Sequence, residues 1–496
     1  MDVISTRNAN YKIPATQAVL KGISEDGGLF VPEYFPKLDL HKLKKKAHHG
    51  YDAVAAAILG EFFDIGGHTL KKLTELAYAG FDTREVVPMA KLSDTEYVME
   101  LSHGPTLAFK DMALQVLPQL ISESLKIHEQ ENDILVLTAT SGDTGKAAME
   151  GFRDVPRTSI VVFYPLHGVA PMQKLQMVTQ EGGNVGVCAV KGNFDDAQNG
   201  VKELFGNGVF NREVEQKGFT LSSANSINIG RLVPQVAYYV YAYLKLLEEG
   251  AVSEGGAVNF CVPTGNFGNI LAAYYAMRMG VPVHKLICAS NRNNVLTDFF
   301  DNGHYNARRE FYKTMSPSMD ILISSNLERL LFELAGRDDA VVAQWMAELS
   351  SQGAYTISRA ATDKLARHFY ADFCDERETA ATIKDIFSYY GYVMDPHTAV
   401  AQCVYDKYVG ETGDNTPTVV MSTANPYKFT QDVLFALSGE KEQDAFAAAD
   451  KLQDLTNLEI PEQISGLIKK PILHGSVVEK GDQISAVRQF IEGELD

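Results

Sequence analysis

Residues 258–277 read VNFCVPTGNFGNILAAYYAM. Val258 to Val262 is a short, mostly apolar run of strand length, as expected for a strand covered on both faces. The loop Pro263 to Asn269 follows, and from Ile270 the sequence turns helical. Gly265 and Gly268 let the backbone approach an anion closely and adopt positive φ. Asn266 and Asn269 can donate side-chain amide hydrogens, and Asn269 also suits a helix cap. A helix N-terminus adds unpaired N–H groups and partial positive charge, so phosphate is the natural guest. The loop has no lysine, which fits a phosphate held in place rather than one transferred. A purely structural capped turn is the other reading of these residues.

Two further junctions repeat the pattern of buried strand, loop of small and hydroxyl residues, and helix. Ile134 to Thr138 leads through Ala139–Gly145 into a helix beginning near Lys146. Thr418 to Ser422 leads into Thr423-Ala-Asn-Pro-Tyr-Lys-Phe429 and a helix. Tyr97–Leu101, Ser159–Tyr164, Val185–Val190 and Lys285–Ala289 are further expected strands, alternating with helical stretches as in α/β proteins. In open α/β sheets, ligands bind where strands end and loops begin. Residues 16–80 look mostly helical, broken by the Asp26-Gly-Gly28 turn and by Pro32 and Pro36. Three units are expected: 1–95, mostly helical; 96–260, α/β; and 261–496, α/β with a helical C-terminal region. Residues 435–470, rich in Ala, Glu, Lys and Asp, read as a solvated helical region.

Bulk properties narrow the function. At 496 residues the chain exceeds one typical core. A net charge of −18 opposes general nucleic-acid binding, which needs clustered Lys and Arg. A local site can still take an anion against the global field. The five cysteines are scattered without C-x-x-C spacing, so buried free thiols in a reducing compartment are expected. The N-terminus lacks the apolar core of a secretory signal, and no apolar run approaches membrane-spanning length. The expectation is a soluble, cytoplasmic protein.

Ser102–Met112 (SHGPTLAFKDM) sets Lys110 beside Leu107, Ala108 and Phe109 at the entrance to an apolar stretch. Desolvation there disfavours the ammonium form and frees the amine as a nucleophile, as a Schiff-base lysine requires. Snorkelling of the charge out of an apolar helix start is the alternative. The loop Thr140-Ser-Gly-Asp-Thr-Gly-Lys146 is not a Walker A motif: two residues separate its glycines, and Ala147 follows the lysine. It reads as a cradle for a small anion, with Asp143 either accepting a proton-bearing group or capping the helix. In Asn225-Ser-Ile-Asn-Ile-Gly-Arg231, Arg231 can pair bidentately with phosphate or carboxylate, or form a salt bridge at a helix start. Ser316-Pro-Ser-Met-Asp320 is a hydroxyl-rich stretch. Isolated His103 and His397 read as satisfied structural residues, and no Cys/His cluster indicates a metal.

In order along the chain stand LKGISEDGGLFVP (20–32), HGPTLAFKD (103–111), TSGDTG (140–145), GNFDDAQ (192–198), NSIN (225–228), GNFGN (265–269), SPSMDI (316–321), DPHTAV (395–400) and STANPYKF (422–429). Together they resemble the threonine synthase family, pyridoxal-phosphate enzymes of the tryptophan-synthase-β fold type. The resemblance implies open sheets flanked by helices, with a smaller N-terminal domain. It also implies conversion of O-phospho-L-homoserine and water to L-threonine and phosphate by γ-elimination and β-addition, in a monomer or homodimer. A phospho-lyase or dehydratase releasing a 2-oxo acid on the same scaffold is the rival. By position, Lys110 matches the cofactor-bearing lysine, and Gly265, Asn266, Phe267, Gly268 and Asn269 match the loop for the cofactor phosphate. Thr423 matches the hydroxyl at the pyridine nitrogen. Asp143 lies near the expected place of the cofactor 3′-oxygen. Ser141, Thr144, Lys146, Asn225, Ser226 and Arg231 are candidates for the substrate's carboxylate and phosphate. One departure is that the family often has STAHPAKF, where this chain has Asn425 and Tyr427.

Overall fold

The computed structural model describes residues 1–140, 142–167, 169 and 171–495. Two largely parallel sheets organise it. The six-stranded sheet runs, edge to edge, Phe369–Phe373, Val283–Ser290, Val258–Pro263, Thr418–Ser422, Glu96–Glu100 and Met89–Lys91. Only the short Met89–Lys91 edge strand is antiparallel to its neighbour. The five-stranded sheet is parallel throughout, in the order Val477–Glu479, Val185–Lys191, Thr158–Pro165, Asp133–Ala139 and Phe219–Ser222. Every residue of Val258–Pro263 and of Thr418–Ser422 is buried, as parallel strands covered by helices on both faces must be.

The helix Ile229–Glu248 is buried nearly all round and packs against Gly268–Met279 and Tyr51–Phe62. A helix apolar on every side belongs inside a protein, and this one joins the N-terminal region to the six-stranded sheet. That N-terminal region combines the helices Leu40–Ala47, Tyr51–Phe62 and Gly67–Tyr78 with a three-stranded antiparallel sheet of Asn8–Pro14, Asp2–Ser5 and Phe30–Pro32. No helix among the described residues is long and apolar enough to cross a membrane.

The structure differs from the sequence reading in several places. The boundary at 260/261 cuts through the strand Val258–Pro263, and that at 95/96 cuts the hairpin of Met89–Lys91 and Glu96–Glu100. The chain enters the six-stranded sheet, leaves for the five-stranded one, returns, and adds Val477–Glu479 to the five-stranded edge. The lobes therefore follow the sheets rather than contiguous sequence. The N-terminal hairpin, Phe219–Ser222, Phe369–Phe373 and Val477–Glu479 carry no long apolar run, because they are short or lie at edges. Residues 435–470 are not simply solvated. Ala448, Ala449, Leu452 and Ile464 are fully or almost fully buried, the small side chains of one helix face letting it pack closely.

Candidate active site

The carboxyl ends of the two sheets contribute the side chains that meet around Lys110. After the strand Glu96–Glu100, the chain runs alongside the segment that follows Thr418–Ser422. Leu101 donates its backbone N–H to the Ser422 carbonyl at 2.9 Å, Phe109 donates to the Thr423 carbonyl at 2.8 Å, and Asn425 donates to the Leu107 carbonyl at 3.0 Å. Leu107 adopts a left-handed φ of 61° in this turn. Asp111, fully buried, draws the loop around itself by accepting from the Thr106 amide at 2.8 Å and the Thr106 hydroxyl at 2.6 Å. A Cβ on Gly104 would stand 2.5 Å from that carboxylate, so the close approach requires glycine there.

Lys110 Nζ donates to Ser318 Oγ at 3.1 Å and lies 3.8 Å from Asp143 Oδ2, with its side chain only 11% exposed. Burial pushes the amine down to about 8, and the charges of Lys428 and Arg231 add to that effect while Asp143 opposes it. An amine titrating there is about half neutral at pH 8, where an ordinary lysine is only about 0.3% neutral. Asp143 begins the helix Asp143–Phe152, whose cap is Gly142, so its carboxylate is not spent as a helix cap. Lys428 Nζ sits 2.9 Å from Asp143 Oδ1 and donates to the Thr106 carbonyl at 2.6 Å. Burial alone would raise the Asp143 carboxyl, but Lys428 and Lys110 outweigh it and hold the group well below the usual range.

Ser318 connects three parts of the site. Its hydroxyl receives Lys110, and its carbonyl oxygen lies where a Cβ on Gly265 would approach to 2.5 Å. Its amide donates to His397 Nε2 at 3.1 Å. A backbone N–H cannot accept, so His397 Nε2 is the acceptor and Nδ1 carries the proton, directed at Asp395 Oδ1 2.9 Å away.

The carbonyls of the Gly265–Asn269 loop are occupied from within the protein. Ser324 Oγ donates to the Gly265 carbonyl at 2.7 Å, and the amide and side chain of Asn326 donate to the Asn266 carbonyl at 3.1 and 3.0 Å. With these carbonyls occupied, no protein acceptor meets the backbone N–H groups of residues 265–270 among the described residues. The Oδ1 of Asn269 accepts from the hydroxyls of Tyr238 at 2.5 Å and Tyr239 at 2.6 Å, which turns its amide nitrogen into the partner-seeking end. That nitrogen is buried and unpaired. Phe267 contributes backbone alone, at φ 65°, because its side chain is buried with its ring near Phe300 and Phe369.

Arg231 is buried at the start of Ile229–Glu248. Its Nη1 donates to the Ala224 carbonyl at 3.0 Å, its Nε is buried without a partner, and no carboxylate pairs with it among the described residues. Burial pushes the guanidinium down to about 10. A buried cation without a counter-ion costs several kcal/mol, roughly, unless an anion completes it. Thr423 is buried, and its amide is 3.4 Å from the Thr398 hydroxyl.

Other residues singled out from the sequence lie differently. Lys146 Nζ is paired with Glu150 at 3.1 Å and with Gln180. Asn225 is exposed and accepts from the Thr138 hydroxyl at 3.4 Å, while the Ser226 hydroxyl faces that of Ser325 at 3.5 Å. Thr144 is half-buried in the first turn of Asp143–Phe152. Ser141 lies outside the described residues. Ser318 and Lys428 lie in stretches that the sequence singles out, 316–321 and 422–429, but neither was given a role there. The signal for Lys428 was the same as for Lys110, a lysine between large apolar neighbours, Tyr427 and Phe429. The departure at Tyr427 has a structural use, since its hydroxyl donates to the Leu458 carbonyl at 2.5 Å and ties the C-terminal helices to this segment.

Three family models match the chain in order: Threonine synthase N terminus over residues 2–78, Pyridoxal-phosphate dependent enzyme over 85–424, and Threonine synthase, C-terminal over 398–491. Human threonine synthase-like 1 is 41% identical over 434 residues, covering 85% of this chain; the chain spans only 58% of that protein's length. Threonine synthase of Schizosaccharomyces pombe is 36% identical over 465 residues, covering 88% of this chain and 89% of that protein. The crystal structure of pyridoxal-phosphate-bound threonine synthase from Brucella melitensis superposes with a TM-score of 0.88 at 35% identity, covering 100% of this chain and 99% of that one.

Proposed function

Because the chain belongs to the threonine synthase family, we propose that it converts O-phospho-L-homoserine and water to L-threonine and phosphate. The observation that carries this reading is Lys110, a buried amine lowered to about 8, set between Asp143 and Ser318 close to a phosphate-ready loop. The cofactor is pyridoxal 5′-phosphate, and the residues present fit it: the unpaired amides of 265–270 and the amide nitrogen of Asn269 suit its phosphate, and Lys110 its aldehyde. Bound there, it supplies an electron sink for carbanions at the substrate's α- and β-carbons.

The chain's own residues do the rest. Lys110 would hold the cofactor through its aldehyde, and its amine would move protons at the substrate's α- and β-carbons. Ser318 and Asp143 hold its nitrogen in place, and Lys428 keeps Asp143 ionised. Arg231 receives an anionic group of the substrate, the ligand its unpaired guanidinium lacks. Thr423 offers a neutral hydroxyl to the pyridine nitrogen. Thr144, Asn225 and Ser226 stand second to Arg231 as substrate contacts. The five buried, unpaired thiols support a reducing, cytoplasmic setting.

Product analysis separates this reading from its rival. Purified holoenzyme given O-phospho-L-homoserine is expected to release phosphate and threonine in equal amounts. Phosphate accompanied by 2-oxobutyrate instead of threonine would establish the phospho-lyase reading.

A further inference from the structure

Two of the cysteines scattered through the sequence are brought together by the fold. Cys374 follows the edge strand Phe369–Phe373, and Cys403 lies on the helix Pro396–Thr412, which packs on that strand. Their sulfurs and a carboxylate oxygen of Glu378 all lie within 4.8 Å of one another. Cys374 is fully buried, while Cys403 is 8% exposed. Cys261 and Cys288, though on adjacent strands, are offset by one residue in register and face opposite sides of the sheet. Cys188 belongs to the other sheet.

A cluster of two thiols and a carboxylate suits either a metal ion or thiol chemistry, and the surroundings favour the second. Both oxygens of Glu378 are committed, one accepting from the Asp375 amide at 2.9 Å and the other paired with Lys407 at 3.0 Å. The Lys407 ammonium brings positive charge to the place a cation would occupy. The nearby Thr379 hydroxyl, 3.4 Å from the Cys374 sulfur, already donates to the Asp375 carbonyl at 2.7 Å. The same charge favours a thiolate. The Cys403 thiol is held below its ordinary range, first by the neighbouring Cys374 thiol and then by Lys407, against the effect of burial. Cys374 is pushed up, first by the neighbouring Cys403 sulfur and then by burial, and its thiol donates to the Asp375 carbonyl at 3.6 Å.

We propose that Cys403 and Cys374 are a modification site, an attacking and a resolving cysteine that form a disulfide when a hydroperoxide reaches the protein. The Cys403 thiolate attacks a peroxide oxygen, the O–O bond breaks, and hydroxide leaves, giving a sulfenic acid on Cys403. The Cys374 sulfur then attacks the Cys403 sulfur. The S–S bond forms as the S–O bond breaks, and the proton of Cys374 leaves with the departing oxygen as water. Two thiols lose two electrons, and one hydrogen peroxide becomes two waters. The product ties the end of the edge strand to the helix whose first turn carries His397 and Thr398.

The test treats holoenzyme with hydrogen peroxide in the presence of a chelator, denatures it, alkylates the remaining thiols and maps peptides without reduction. The expected result is loss of two of the five thiols, a Cys374–Cys403 cross-linked peptide that dithiothreitol separates, and Cys188, Cys261 and Cys288 alkylated. In a Cys403→Ser variant, Cys374 is expected to stay reduced under the same exposure. Cys374 and Cys403 both recovered as alkylated thiols in the wild type would overturn the proposal. So would a Cys374 that oxidises as fast in Cys403→Ser, or protein isolated without chelator that holds stoichiometric zinc released on alkylating the pair.

Discussion

The backbone N–H of Phe109 donates to the carbonyl of Thr423 at 2.8 Å, so the loop that presents Lys110 is tied to the strand end that presents Thr423. The position of the lysine amine therefore depends on how tightly its loop folds upon Asp111. Gly104→Ala would drive a Cβ to 2.5 Å from the Asp111 carboxylate and displace the loop. A misplacement of about 1 Å can cost about a hundredfold in rate. We expect kcat for phosphohomoserine turnover to fall at least tenfold while circular dichroism stays that of the parent protein; unchanged kcat would separate the lysine's placement from this turn.

Asp143 stands between two lysines, and its removal should act on both. Asp143→Asn takes away the charge that holds the Lys110 amine up, so the acid limb of the kcat–pH profile should move to lower pH. It also leaves Lys428 buried beside a neutral amide, a loss of about 3–5 kcal/mol in urea unfolding. A limb that moves to higher pH would contradict the assigned electrostatics.

Arg231 is expected to contribute to binding and to cost stability. Arg231→Met removes a charge-assisted contact worth about 1.5–3 kcal/mol, so KM should rise roughly ten- to a hundredfold. Because the guanidinium is buried without a counter-ion, the substrate-free variant should be at least as stable as the parent. A less stable variant with unchanged KM would make Arg231 structural.

His103 supplies a pH test away from the chemistry. Its ring lies 2.6 Å from Asp82 and 2.7 Å from Glu100. Although burial opposes them, these carboxylates raise it to about 9 from an ordinary 6.5. A raised folded-state value stabilises fully below the unfolded value and is lost as pH climbs through the folded one. The urea midpoint of the parent should therefore decline more steeply between pH 6.5 and 9.5 than that of His103→Asn. Parallel curves would show that the bridge contributes nothing.

What could be read from the sequence was local. The buried strand Val258–Pro263, its glycine-bearing loop and the oddly placed Lys110 are legible because period, turn chemistry and neighbours lie within a few residues. The pairs Lys110–Ser318 and Lys428–Asp143 join segments far apart in the chain, and no local pattern announces them. Lys146, by contrast, has its ion-pair partner within local reach. It follows an anion-like loop, yet Glu150 stands four residues on, the spacing at which a helix pairs opposite charges. The edge strands Phe369–Phe373 and Val477–Glu479 escaped notice because half-exposed edges need no long apolar run.

The central claim is that Lys110, and no other buried lysine, carries the cofactor. Borohydride reduction of the holoenzyme fixes the lysine–cofactor linkage, and peptide mapping then locates the added pyridoxyl mass. The account predicts that mass on Lys110 alone, with Lys110→Ala unlabelled and lacking the cofactor's visible absorbance. Label on Lys428 or Lys146, or a Lys110→Ala protein that labels as the parent does, would contradict it.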